Sequence, residues 1–174
     1  MNKKGFTLTE LIATIVILGV LMTVAIPNVL SIIERNKALN MVEDAKKLIT
    51  EVEYEIKRDT TIELPSNGKR TIISLSYLRQ KGSTNLEESP YGIRYNDSSY
   101  VSISNTENIY TYSVTLTAID TKSDNSIKPN SRGIKSKTLE SLNNSNNDNL
   151  VEKASNFTSN DLILPSGSSI EHLY

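Results

Sequence analysis

A long uncharged stretch near the N-terminus limits what this chain of 174 residues can fold into. No charged residue occurs from Leu11 to Ile33, directly after Glu10. An α-helix needs roughly 20 apolar residues to cross the hydrocarbon core of a bilayer, so the stretch is long enough to span one. Lys3 and Lys4 precede it, and by the positive-inside tendency they predict that the N-terminus stays in the cytoplasm.

Three interpretations of this stretch are open. A secretory signal peptide has a similar charged start and apolar middle, but Glu10 begins the apolar part and a cut after Ala25 would leave Pro27 two residues further on. A plain N-terminal anchor explains everything except Glu10 and the Gly5–Phe6 junction. The third interpretation is a segment that spans the membrane first and packs into a bundle of helices later.

The residues after Pro27 continue the helix with one apolar face. No glycine or proline occurs from Asn28 to Asp59, and apolar residues recur at steps of three and four. They are Ala38, Met41, Val42, Ala45, Leu48, Ile49, Val52 and Ile56. We therefore predict one long helix, apolar on all sides at first and amphipathic later. Its continuity argues against a signal-peptidase cut near Ala25.

Gly19 and Pro27 are the predicted points of flexibility in this helix. Proline has no amide to bond to the carbonyl of Thr23, and its ring crowds the preceding turn. Gly19, Thr23 and Pro27 follow one another at four-residue steps. We therefore predict a kink or local melting around them.

The N-terminus resembles the class III signal of type IV pilins and type II secretion pseudopilins. The resemblance rests on GFTLTEL at positions 5–11 and on an apolar run that contains Gly19 and ends in Ala-Ile-Pro at 25–27. It covers about residues 1–58, and Thr9 departs from it because an aliphatic residue is commoner there. The resemblance implies that a prepilin peptidase cuts after Gly5 and methylates the amine of Phe6.

The resemblance also implies partners and a location. The partners are other pilin subunits through their N-terminal helices, the prepilin peptidase, membrane lipid before assembly, and a membrane platform with a cytoplasmic ATPase. The protein would cross the cytoplasmic membrane once and later join an extracellular filament on the bacterial surface. A major or minor pilin and a pseudopilin of a secretion or DNA-uptake system are the alternatives within the family.

Glu10 has two interpretations. A carboxylate costs about 2.5–3.5 kcal/mol at the bilayer centre and less near the interface, so Glu10 can simply reach the cytoplasmic headgroups. In a bundle of subunits the natural partner is the ammonium of Phe6 on a neighbouring subunit. A desolvated ion pair is costly to break by removing one member, so we expect Glu10 to set the vertical register between subunits.

The chain divides into four expected regions. They are a leader at 1–5, a transmembrane or filament-core half of the helix at 6–33, an amphipathic half at 34–58, and a globular β-rich region at 59–174. The expected fold class is α+β, with the long helix packed on a small antiparallel sheet. A generic α+β domain on an anchor fits the same pattern.

Three local elements are predicted beyond the long helix. Alternation from Tyr110 to Ile119 predicts the strongest strand. Ser74 to Gly82 predicts a short helix that Ser74 caps and Gly82 ends. Leu162 to Leu164 predicts an edge strand, which Pro165 would end.

The composition excludes several kinds of chemistry. The chain has no cysteine and one histidine, His172, which argues against thiolate metal sites and histidine-based catalysis. A net charge of −1 without a basic stripe gives no indication of a nucleic-acid site. We therefore predict no enzyme activity and no cofactor.

Two carboxylates are weak candidates for a metal site, and one rival function stays open. Asp120 and Asp124 offer the oxygen ligands that calcium prefers, but a solvated surface loop explains them more simply. The rival function from another class is a membrane-anchored surface domain that binds a ligand or catalyses a reaction.

Overall fold

The computed structural model describes residues 5–144 and 147–174. The chain forms two compact units, one that ends at Asn36 and one from Lys37 to Tyr174. Helix α1, Leu8–Arg58, contributes to both units. Below, residues 8–33 of α1 are the apolar segment, and the unit from Lys37 to Tyr174 is the head.

A six-stranded sheet organises the head. The strands are β1 Arg70–Ser74, β2 Tyr100–Thr106, β3 Ile109–Ala118, β4 Arg132–Thr138, β5 Glu152–Lys153 and β6 Ile170–Leu173. Their order is β5-β4-β3-β2-β1-β6, and every neighbouring pair is antiparallel except β1 and β6. Two short helices are α2 Leu75–Gln80 and α3 Leu139–Leu142, and 3₁₀ helices cover Asn147–Leu150, Ala154–Asn156 and Ser159–Leu162.

The predicted apolar face of α1 forms the core of the head. Its side chains are buried from Ala38 to Val52, and Ile56 is partly buried. They share one cluster with inward-facing residues of the sheet such as Ile103 and Leu116. The predicted fold class, a long helix packed on a small and mostly antiparallel sheet, is confirmed.

Two of the three local predictions are confirmed. Strand β3 covers the predicted alternating stretch, displaced by one residue at each end. Helix α2 begins after Ser74, whose hydroxyl accepts a hydrogen bond from the Tyr77 amide at 3.2 Å. Gly82 follows the helix with φ +66°, a left-handed conformation that glycine adopts without strain.

The predicted edge strand at Leu162–Leu164 is wrong. Leu162 ends a 3₁₀ helix, and the edge strand in this part of the chain is β6. A capping box holds the helical turn: the Asp161 carboxylate accepts the Thr158 amide at 2.7 Å and the Thr158 hydroxyl at 3.1 Å. These local hydrogen bonds outweigh the strand preference of three apolar residues.

Glu55 is a buried carboxylate at the end of the apolar face of α1, with 1% of its surface exposed. Nη2 of Arg58 donates to its two oxygens at 3.0 and 2.7 Å, and the Ser83 hydroxyl donates at 2.5 Å. Burial alone raises the pKa of Glu55, but the hydrogen bonds from Ser83 and Arg58 outweigh it and hold the pKa below its usual value. Glu55 thereby ties α1 to the segment after α2.

The irregular segment between α2 and β2 is attached to α1 by a second buried group. The Tyr95 phenol donates to Asp44 at 2.7 Å, and burial with this hydrogen bond raises the pKa of Tyr95 far above its usual value. The Arg79 guanidinium donates to the carbonyls of Tyr95 and Leu86 at 3.1 and 2.8 Å. These bonds satisfy backbone groups of a segment that has little regular structure of its own.

We expect Glu55→Gln to reduce the stability of the head by about 1–3 kcal/mol at pH 7, because it removes charge-assisted hydrogen bonds in a buried site. The lowered pKa of Glu55 contributes stability above the pKa of the unfolded chain, and this contribution is lost as the pH falls through the folded pKa. The difference between wild type and variant should therefore shrink in urea unfolding below about pH 4. Glu43→Gln is the control, since the Glu43 side chain is 68% exposed; an equal effect there would contradict the prediction.

We also expect Gly133→Ala to destabilise the head by about 1–3 kcal/mol, as overpacking does in a core. A methyl group at Gly133 would lie 2.6 Å from Cζ of the buried Phe157 ring and 3.2 Å from the Leu116 carbonyl oxygen. Thermal unfolding measures the effect. Gly19→Ala is the control, because a methyl group there meets nothing within 4 Å; a wild-type melting temperature for Gly133→Ala would refute the packing argument.

Candidate functional site

The candidate site begins with residues that precede the first helix. Gly5 and Phe6 are not helical, and 89% of the Phe6 surface is exposed. A methyl group on Gly5 would meet nothing within 4 Å. Nothing in the described chain therefore requires glycine at position 5.

Thr7 and Glu10 form a capping box at the start of α1. The Glu10 carboxylate accepts the Thr7 amide at 2.8 Å and the Thr7 hydroxyl at 2.9 Å. In return, the Thr7 hydroxyl accepts the Glu10 amide at 3.3 Å. This exchange satisfies two amides that a helix start leaves without partners, and it places a negative charge at the positive end of the helix dipole.

The interpretation of the sequence missed the role of Thr7. Its signal is the spacing Thr-x-x-Glu before an apolar run, which is the usual pattern of a capping box. The structure thus adds a function for Glu10 within its own chain. Pairing of Glu10 with Phe6 of a neighbouring subunit stays a prediction.

The apolar segment is exposed on every side. Its large side chains, from Leu8 at 73% to Ile33 at 43%, all lie on the surface. A helix that is apolar all round needs a surrounding of lipid or of other apolar helices. Within the described residues, α1 is the one helix long and apolar enough to cross a membrane by length and composition.

After Glu10, four polar side chains interrupt the apolar segment, and each donates to a carbonyl of its own helix. Thr14 donates to Leu11 at 2.8 Å, Thr23 to Val20 at 2.7 Å, Asn28 to Val24 at 3.1 Å and Ser31 to Asn28 at 2.9 Å. Such bonds lower the cost of placing hydroxyl and amide groups in hydrocarbon. They explain how the segment keeps polar residues and remains suited to a bilayer.

Helix α1 continues through both predicted points of flexibility. Gly19 and Pro27 lie inside the uninterrupted helix Leu8–Arg58. A methyl group on Gly19 would meet nothing within 4 Å, so no contact described in this chain requires a glycine there. Flexibility at the two residues stays a prediction.

The weak metal candidates lie in the loop between β3 and β4 and are bound by other protein groups. Asp120 pairs with the Lys128 ammonium at 2.5 Å, and this bond lowers the pKa of Asp120. The Asp124 carboxylate accepts the Ser126 hydroxyl at 2.6 Å and the Ser126 amide at 3.0 Å, which lowers the pKa of Asp124. No group of three or more metal-ligating side chains occurs in the described ranges 5–144 and 147–174.

Comparison with known proteins identifies the N-terminal region. Residues 1–26 match the family described as "Prokaryotic N-terminal methylation motif". No curated protein and no solved structure matches the chain. The match includes the exposed Gly5–Phe6 junction, the Thr7–Glu10 capping box and most of the apolar segment. The chain therefore carries the N-terminal methylation motif of prepilin-type cleavage, which is typical of type IV pilins and pseudopilins.

Proposed function

We propose that this chain is a structural subunit, a major or minor pilin, of a type IV pilus-like extracellular filament. The observation that carries the proposal is the apolar segment, which is exposed on every side and lies mostly within the methylation motif. A single chain offers this segment nothing to pack against. Lipid covers it first, and the corresponding segments of other subunits cover it in the filament. The subunit has no catalytic role.

Processing is the first proposed step. The prepilin peptidase cuts between Gly5 and Phe6 and methylates the new amine of Phe6. The non-helical, exposed backbone at this junction supports the proposal, because a protease needs an extended segment to reach the scissile bond. Thr7 and Glu10 both lie after the cut, so processing leaves the capping box in place.

Anchoring and assembly follow. The processed subunit crosses the cytoplasmic membrane once, with its N-terminus in the cytoplasm, until a platform with a cytoplasmic ATPase moves it into the filament. Hydrocarbon and neighbouring apolar helices are similar surroundings for leucine and isoleucine, so close packing rather than burial from water favours the filament. Gly19 suits this packing, because small residues allow helix backbones to approach closely.

Glu10 sets the register between subunits in this proposal. In the free subunit Thr7 supplies two hydrogen bonds to the carboxylate, which lowers the cost of holding a charge near hydrocarbon. In the filament the ammonium of Phe6 on a neighbour becomes its ionic partner. A subunit displaced along the axis would leave this carboxylate without its ionic partner in a dry surrounding.

Mass spectrometry of the mature N-terminus tests processing. We expect the chain to begin at methylated Phe6 when a prepilin peptidase is present. Gly5→Leu should keep the leader, because a larger side chain at this position obstructs the peptidase while the fold has room for it. An intact Met1 or a cut near Ala25 in the wild type would remove the proposal.

Three variants separate the roles of charge and of capping in sheared filaments. Glu10→Gln keeps the shape of the side chain but loses its charge. We expect the yield of sheared filament to fall at least tenfold, which corresponds to a loss of about 1.4 kcal/mol of binding free energy per subunit contact. Thr7→Val removes the hydroxyl and should cause a smaller loss, since the Thr7 amide still donates to Glu10. Thr14→Val, which removes a hydroxyl elsewhere in the segment, is the control. Normal filaments from Glu10→Gln, with normal membrane insertion, would show that the charge sets no register.

The pseudopilin alternative shares processing and membrane insertion with this proposal. It differs in the product, which is a short filament that serves secretion or DNA uptake. Deletion of the chain's gene distinguishes them: loss of long surface filaments supports the pilin, and loss of secretion or transformation without loss of surface filaments supports the pseudopilin.

A further inference from the structure

Subunits that insert into one membrane in one orientation meet with their heads parallel. Two parallel copies that are displaced along the filament axis cannot present the same patch to each other, so a contact between their heads joins two different surfaces. A contact of this head-to-tail kind generates a filament when the displacement keeps it from closing into a ring. This argument rests on the proposed function, and it calls for two complementary surfaces at different places on the head.

One end of the head carries an acidic recess with aromatic walls. The recess has a volume of about 250 Å³ and lies where α1, the start of β3 and the start of α3 meet. The side chains that matter are Glu53, Tyr110, Tyr112, Leu139 and Glu140. Tyr110 and Leu139 are 41% and 39% exposed, so both present apolar surface to the recess.

The charges of the recess suit a cation. No lysine or arginine lines it, and in the described part of the chain no ion pair engages Glu53 or Glu140. The pKa of Tyr112 is raised, mainly by burial and next by the negative charge of Glu53. The potential of Glu53 therefore extends to the phenol. A lysine placed here has carboxylates for its ammonium and tyrosine rings for its methylenes.

The other end of the head carries an exposed lysine on a projecting loop. The loop joins the end of β3 to β4, whereas the recess lies at the start of β3. A strand of ten residues spans about 33 Å, so the two surfaces lie at opposite ends of the head. Two backbone hydrogen bonds fold the loop tip into a turn. The Lys122 amide donates to the Ser126 carbonyl at 2.8 Å, and the Asn125 amide donates to the Lys122 carbonyl at 3.0 Å.

Lys122 is the cation that this loop leaves available. Lys128 is paired with Asp120, and the Asp124 carboxylate is bound by Ser126. Among the residues that the structure describes, no ion pair engages Lys122, and its side chain is exposed. The loop therefore presents one free positive charge at the end of the head opposite to the recess.

We propose that the recess between Glu53 and Glu140 receives Lys122 from the β3–β4 loop of a second copy of this chain, as a head-to-tail contact that repeats along the filament. The two surfaces are complementary in charge, and they lie at opposite ends of β3. Parallel copies displaced along the length of the head bring them together.

Charge exchange tests the pairing in cells. Two variants should each reduce the yield of sheared filament about tenfold, because like charges then face each other at the contact. One variant is Lys122→Glu alone, and the other combines Glu53→Lys with Glu140→Lys. The triple variant should recover most of the yield, since a glutamate then faces two lysines. Lys153→Glu, on the exposed strand β5 at the side of the sheet, is the control and should assemble normally. Failure of the triple variant to recover, with a folded head by circular dichroism, overturns the pairing.

Cross-linking tests the contact directly, because the natural chain has no cysteine. With a short bis-maleimide, filaments that carry both Ser123→Cys and Leu139→Cys should give a ladder of covalent oligomers, and each single-cysteine filament should not. Filaments without a ladder overturn this contact and leave the proposed function standing. If the wild type makes no filament at all, the proposed function itself fails.

Discussion

One helix has to satisfy two different surroundings, and the rest of the structure depends on this constraint. Up to Asn36 the side chains of α1 are exposed on all sides, and from Ala38 onwards one face is buried under the sheet. The sheet can cover only a stripe, because it is a single layer against a cylinder. The remaining apolar surface needs a surrounding of lipid or of other apolar helices.

The elements that could be predicted from the sequence are those with a regular period or a local signal. The stripe of α1 has a helical period, β3 alternates, and Ser74 with Gly82 marks the ends of α2. The motif at Gly5, Phe6 and Glu10 was recognisable because residue type, spacing and position agree. These signals act within a few residues, which is the range over which a sequence can be interpreted without coordinates.

The features that escaped prediction depend on partners distant in sequence or on competing local bonds. The burial of Glu55 depends on Arg58 and on Ser83, which lies 28 residues later in the chain, so the sequence around Glu55 carries no signal for it. The stretch at 162–164 looked like a strand, yet the capping box at Thr158 and Asp161 keeps the preceding turn helical. The Thr7–Glu10 box is local, and the spacing Thr-x-x-Glu before an apolar run is a sufficient signal for it.

The parallel pairing of β1 with β6 has a consequence for the order in which the head folds. Glu171 binds Ser66 across 105 residues, and the Tyr174 hydroxyl accepts the Glu63 amide and donates to the Thr61 carbonyl. The connection from α1 to β1 is therefore closed by residues that lie 105 to 113 positions later in the chain. Contacts of such long sequence separation form slowly, because a large loop must close first. The edge of the sheet at β6 is therefore expected to form later than the pair β2 and β3, whose strands are neighbours in the chain.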